Sequence, residues 1–211
     1  MKLYIRDRAP NPRRVQIFLR EKDIDIPVID LDIGKKEHRT PEYARLNPLQ
    51  QLPTLEFDDG TSLSESVAIC RYFEEMEPEP PLFGVGARGK AEVEMWQRRM
   101  EMAFLYPVAS VFRHTHPFMA GLEVPQLPEW AEANRPRVAS FLKILDDHLR
   151  DHRFAAGGQF TIADITGLVA LEFMRPAKLS LDPALEHVAR WQADIFARPS
   201  VQLPKPAEKT S

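Results

Sequence analysis

Glu65 and Ser66 form the most chemically suggestive pair in the chain, inside Ser64-Glu65-Ser66-Val67-Ala68-Ile69-Cys70. Val67, Cys70 and Phe73 share one helical face, with Ala68, Tyr72 and Met76 beside it, so a helix opens at this pair. The first N–H groups of a helix lack internal partners and its dipole is positive there, which favours a carboxylate. The Ser66 hydroxyl adds a donor for that carboxylate, and Glu65 accepts from an ammonium group next to it. A ligand with an α-amino acid end carries both charges at that separation. The same two residues also suit an ordinary cap followed by an exposed acid. Just upstream, residues 50–52 are extended, because proline at 53 disfavours α geometry before it. The Leu52 backbone can therefore pair with an extended peptide as an added strand does.

Residues 54–57 read as a short strand, Asp58-Asp59-Gly60 as a hairpin turn, and residues 61–63 as its partner strand. The segment Asn47-Pro48-Leu49-Gln50-Gln51-Leu52-Pro53-Thr54-Leu55, followed by Glu65-Ser66-Val67-Ala68-Ile69, resembles the glutathione-binding half of the cytosolic glutathione transferases. The resemblance implies a cis Pro53, a Leu52 backbone paired with the cysteinyl part of glutathione, and Glu65 and Ser66 on its γ-glutamyl end. It places Gln50, and as a lesser candidate His38, where family members contact the glycyl carboxylate. His38 and Lys36 equally suit a solvated charged loop.

In that family a Ser, Cys or Tyr near the first loop stabilises the ionised sulfur. This chain departs from the pattern, since Ala9 has no polar side chain. Asn11 is the nearest donor, because an amide N–H can donate to a thiolate. A helix expected to start at Pro12 adds a positive end, and Arg13 and Arg14 add cationic potential. Asn11 also suits a turn. Cys70, inside the helical pattern, reads as a small buried hydrophobe. The resemblance further implies an acceptor-substrate pocket between residues 9–11 and a helix face through Met100, Phe104 and Phe112, residues that also suit an inter-domain core.

The elements that must position these residues run in a clear order. Residues 2–6 are a strand, residues 13–22 an amphipathic helix with Val15, Phe18 and Leu19 inward, and residues 27–31 a second strand. Strand, helix, strand implies a right-handed crossover and a parallel pair. With the hairpin and the helix after it, this is a thioredoxin-like α/β domain over residues 1–82. A linker at 83–88 leads to an all-α domain over 89–198, and residues 199–211 read as a flexible tail. The helical domain opens with a long helix at 90–104, and Pro107 interrupts or kinks its continuation. A second long helix covers 130–153, with Pro136 near its start. Thr161-Ile162-Ala163-Asp164 forms a capping box, staple residues Phe160 and Ile165 flank it, and an apolar helix comes next. The same box opens the core helix of the transferases. Residues 188–195 form the last helix.

Bulk properties narrow the function. A net charge of −3 leaves no basic surplus for nucleic acid. No window has the roughly 18 apolar residues of a membrane span, and Met1 leads into Leu3-Tyr4-Ile5 without a signal-like run. Cytoplasmic localisation is the expectation. One cysteine excludes a disulfide framework. His148 and His152 have a spacing that can chelate a metal, but their charged neighbours suit a solvated face, and no metal is expected. The implied activity is that of a homodimeric detoxification enzyme that binds glutathione, stabilises its thiolate and delivers it to a small hydrophobic electrophile. Glutathione-dependent reduction of a disulfide or peroxide, or a non-catalytic glutathione- or partner-binding module, are the alternatives.

Overall fold

The computed structural model describes residues 1–202. Strand β1 (Lys2–Ile5) alternates half-buried and buried side chains, with Leu3 and Ile5 in the core. Helix α1 (Pro10–Glu21) comes next, and its start corrects the expected one: Ala9 is the N-cap and Pro10 the first helical residue. Proline is tolerated there because its missing N–H has no helical acceptor to lose. The helix then buries far more than one stripe, with Arg13, Arg14, Val15, Ile17, Phe18 and Leu19 all covered.

Strand β2 (Val28–Asp30) runs parallel to β1, as a crossover connection requires. A 3-10 turn (Glu37–Arg39) and helix α2 (Pro41–Leu46) come after it. Strands β3 (Thr54–Glu56) and β4 (Ser62–Ser64) then form the expected hairpin. Its turn is closed by Asp59, which accepts from the Thr61 N–H at 2.9 Å, and by Gly60 at a positive φ of 82°. The sheet order is β2-β1-β3-β4, with only the first pair parallel. Helix α3 (Ser66–Met76) completes the α/β unit. Lys22 ties its far end to α1, forming an ion pair with Glu74 at 2.6 Å and donating to the carbonyls of Glu77 and Pro80.

The all-helical part opens with α4 (Gly86–Arg99), which begins ahead of the expected Gly89 and shortens the expected linker. It continues without a break through a π-helical turn (Met100–Leu105) into α5 (Tyr106–Thr115). Pro107 therefore does not interrupt the rod. The wider turn before it takes up the missing hydrogen bond and the ring's clash with the preceding turn. Helix α6 (Pro128–Leu149) likewise runs through Pro136 instead of starting near it, and it stops short of the expected residue 153.

Helix α7 (Ile162–Met174) is buried almost throughout and opens with the Thr161–Asp164 capping box. The Asp164 carboxylate accepts from the N–H of Thr161 at 2.9 Å, that of Ala155 at 2.8 Å and the Trp191 indole at 2.9 Å. Burial pushes this carboxyl above the usual carboxylate range, while these donors pull against it. Helix α8 (Glu186–Phe196) ends the described helices. Residues 199–202 correct the expected flexible tail, since Ser200 and Val201 are buried. The remainder of that expected tail lies outside the described residues.

Gly167 marks the tightest packing of α7. A Cβ added there would sit 2.6 Å from the Trp191 ring and 3.1 Å from the Met100 sulfur. Gly167→Ala is expected to cost about 1–3 kcal/mol of stability through overpacking. The check is a lowered denaturant midpoint at unchanged slope; an unshifted midpoint would contradict the packing described.

Candidate functional site

Strand register brings the predicted residues together. Thr54, the first residue of β3, is paired with Tyr4 on one side and Ser64 on the other. Leu52 and Pro53 therefore lie between the end of β1, which feeds the turn to Ala9 and Asn11, and the end of β4, which feeds Glu65 and Ser66. Three chain segments meet at one end of the sheet. The loop entering β3 is held by a buried polar cluster. Asn47 and Tyr43 both donate to the Gln51 carbonyl, at 2.9 and 2.7 Å, and Tyr43 also meets Thr54 at 2.8 Å. The Leu52–Pro53 peptide is cis, and Leu52 takes no part in the sheet's pairing.

Glu65 is the N-cap of α3, at φ 69° and ψ 114°, and its side chain makes no cap bond. Such a backbone is costly for a residue with a Cβ and persists only where surroundings enforce it. The N–H groups of the first turn stay open for an anion, while the Glu65 carboxylate stands exposed beside them. Ser66 is buried, and its hydroxyl accepts from Arg14 at 2.8 Å. That bond occupies one lone pair and leaves the hydroxyl proton available to donate. Arg14 itself has no exposed surface. Its second partner is Glu101, at 2.9 Å, in the π-helical turn of the helical domain.

The cationic potential expected from Arg13 and Arg14 is largely spent inside the protein. Arg13 bonds Glu172 of α7 at 3.3 Å and the Val201 carbonyl. Asn11 is exposed at the second position of α1, so it is a helical residue and not a turn. With prolines at 10 and 12, it holds the only backbone N–H among the first three helical positions. Ala9 is half-buried as the cap.

Gln50 has a positive φ of 52°, and its side-chain oxygen accepts from Arg39 at 3.1 Å, which leaves its NH2 group free to donate. His38 is buried and not solvated, and its Nδ1 finds no partner among the described residues.

The expected acceptor wall needs correction. Met100 and Phe104 have no exposed surface, and Phe104 stacks on Phe141, so both belong to the core. Phe112 is half-buried and lies between His116 at 4.6 Å and Phe173 at 4.8 Å. Phe173 is next in sequence to Glu172, the partner of Arg13, in the last turn of α7. Cys70 is fully buried, and desolvation pushes its thiol well above the usual range. His148 and His152 stack at 4.1 Å, each with one ring nitrogen against a backbone carbonyl. Among the described residues no group of three or more His, Cys, Asp or Glu is placed to hold a metal ion, and no helix is long and apolar enough to cross a membrane.

Two family models match the chain, glutathione S-transferase N-terminal domain over residues 9–76 and glutathione S-transferase C-terminal domain over residues 128–193. Glutathione S-transferase 2 of Saccharomyces cerevisiae is 32% identical over 96% of this chain and 88% of its own length. The chain belongs to the glutathione S-transferase family. A glutathione S-transferase domain-containing protein of Marinobacter aquaeolei VT8 superposes with a TM-score of 0.92 at 34% identity, covering 96% of this chain and all of the other. Gtt2 from Saccharomyces cerevisiae superposes with a TM-score of 0.90 at 32% identity, over 95% of this chain and 98% of that one. The shared fold is the thioredoxin-like α/β domain followed by the all-helical one.

Glu101 and Arg39 are the site residues that sequence reasoning missed, and Arg14 was expected only as a source of cationic potential, not as a buried link to Ser66 and Glu101. Arg14 was detectable: it lies four positions before Phe18, on the inward face of α1, where a cation requires a partner.

Ser66→Ala should weaken glutathione binding by about 1.5–3 kcal/mol, the worth of a hydrogen bond to a charged group; calorimetry showing undiminished affinity would remove Ser66 from the site. Burial and neighbouring Arg39 hold the His38 imidazole below its ordinary value of 6.5. The stabilisation from its neutral form is complete above that value and lost as pH falls through the lower folded-state one. His38→Gln should therefore flatten the acid side of the stability curve just below neutrality; an unchanged acid limb would contradict this.

Proposed function

We propose that this chain binds glutathione across the end of its sheet and transfers the sulfur to a small hydrophobic electrophile. Ser66 and the first amides of α3 take the γ-glutamyl carboxylate, and Glu65 takes its ammonium. The Leu52 backbone pairs with the cysteinyl unit, while Gln50 and Arg39 meet the glycyl carboxylate. The observation that supports this reading is the register at Thr54, which pairs it with Tyr4 and Ser64 and so brings the loop through Leu52 beside the strand end that leads to Glu65.

The sulfur then falls at the start of α1. Asn11 offers a backbone N–H and a side-chain amide there, both suited to a thiolate in a partly dry cleft. On ionisation the thiol proton passes to solvent. The thiolate attacks an electrophilic carbon, forming the S–C bond as a leaving group departs or a π bond opens. The half-buried Phe112, with His116 and Phe173 against it, supplies an apolar wall for that acceptor. The relatives' names favour transfer over glutathione-dependent reduction or a non-catalytic module, and the buried Cys70 offers no redox thiol.

A detoxifying role in the cytoplasm fits this chemistry and a single sheltered cysteine. We also infer a homodimer. Met95, Met102 and Tyr106 stand exposed along the continuous rod of α4 and α5, and a second copy is the occupant that the family reading supports.

Asn11 is tested through the bound thiol. Asn11→Ala should raise the pKa of bound glutathione by about one unit, or about 1.4 kcal/mol, read from thiolate ultraviolet absorbance across pH. An unshifted titration would remove Asn11 as the side-chain donor. Sedimentation of Met102→Lys should show a population shifted toward monomer; an unaltered dimer would place the interface elsewhere.

A further inference from the structure

Residues 198–202 lie against α1 as a strap. Arg198 stacks on Phe160 at 4.0 Å and grips the Glu21 carboxylate with two hydrogen bonds, at 2.7 and 2.6 Å. The Ser200 hydroxyl bonds the same carboxylate. Arg20 donates to the carbonyls of Ser200 at 3.4 Å and Gln202 at 3.2 Å. The Val201 carbonyl then accepts from Arg13, with the Val201 side chain buried beneath. The strap thus meets the last turn of α1 through Glu21 and Arg20, and also takes the side chain of Arg13, a first-turn residue two positions from Asn11.

That first turn has few anchors of its own. Pro10 and Pro12 have no N–H, and the bond from the Arg13 N–H to the Ala9 carbonyl, 2.9 Å, is what closes it. Arg13 is buried with its charge shared between Glu172 and Val201, and its Nη1 lacks a partner among the described residues. Removing the Val201 carbonyl would leave this guanidinium under-satisfied and free to pull the turn out of place. Donors aimed at a developing or bound anion lose their value with small displacements.

We propose that the 198–202 strap is a positioning element for the thiolate site, fixing the turn of α1 that presents Asn11. The proposal rests on Asn11 being the thiolate donor. Its grips at Glu21 and Arg20 lie about two and a half to three helical turns from Asn11, too far for direct contact with the sulfur.

The test uses the full chain with Arg20→Ala, Glu21→Gln and Arg198→Lys. Arg20→Ala removes an exposed side chain and leaves no buried charge behind, so it keeps the test open if Glu21→Gln folds poorly. The expected result is a rise in the bound thiol's pKa of about half a unit and a kcat lower by roughly three- to tenfold. KM for glutathione should stay within about twofold, because its two ends are held elsewhere. Arg198→Lys, which keeps the charge but loses the fork, should fall between wild type and Glu21→Gln. A lower melting temperature with unshifted thiol pKa and kcat would make the strap purely structural and overturn the proposal. Asn11→Ala measured in parallel separates the two readings. If it alone shifts the thiol pKa, the strap fails and the donor stands; if it leaves the pKa unmoved, the donor assignment fails first.

Discussion

A guanidinium without access to water has to find its acceptors where it lies, since leaving the charge unanswered costs several kcal/mol. Arg14 is such a group: its Nη1 finds Ser66 and Glu101, while its Nε and Nη2 have no partner among the described residues. Those two bonds set α1 against the opening of α3 and bring the helical domain's π-helical turn onto the same spot. Lys22 does the corresponding work at the far end of α1, with Glu74 and two carbonyls. The helix is therefore pinned at both ends by buried cations, and the site is built on the nearer pin.

Little of the site depends on side-chain acids or bases. An amide and a hydroxyl at a helix start, a backbone edge at Leu52, and an amide at a second helix start are fixed donors that need not rearrange when an anion arrives. Their cost is visible in the backbone, in the positive φ of Glu65 and Gln50. Those residues hold poor geometries because the hairpin and the Asn47–Tyr43–Thr54 cluster leave them no other. Chemistry on a bound thiol then needs only a donor at the sulfur and an apolar wall for its partner.

Much of this architecture is legible in the sequence alone. The βαβ–ββα order, the hairpin at Asp58-Asp59-Gly60 and the Thr161–Asp164 box come from local rules, and local rules hold where a few neighbours decide the outcome. The failures share a cause. Pro12, Pro107 and Pro136 read as boundaries, yet α1 begins before the first, a π turn absorbs the second and α6 runs through the third. In each case packing over a whole helix outweighs one residue's preference. Met100 and Phe104 show the apolar periodicity of a lining, but periodicity does not say whether the far side is cleft or core. Arg14 and Glu101 are separated by most of the first domain, and no pattern in the chain announces their meeting. Residues 199–202 have the composition of a loose end, and only the side of α1 they cover explains why they are buried.

The most direct test is a crystal structure of the protein with glutathione bound. The account predicts the γ-glutamyl carboxylate on the Ser66 hydroxyl and the first amides of α3, the cysteinyl unit beside Leu52, and the sulfur within about 3.5 Å of an Asn11 nitrogen, a reach suited to a weak sulfur acceptor. A tripeptide lying elsewhere, or one whose sulfur turns away from the start of α1, would contradict it.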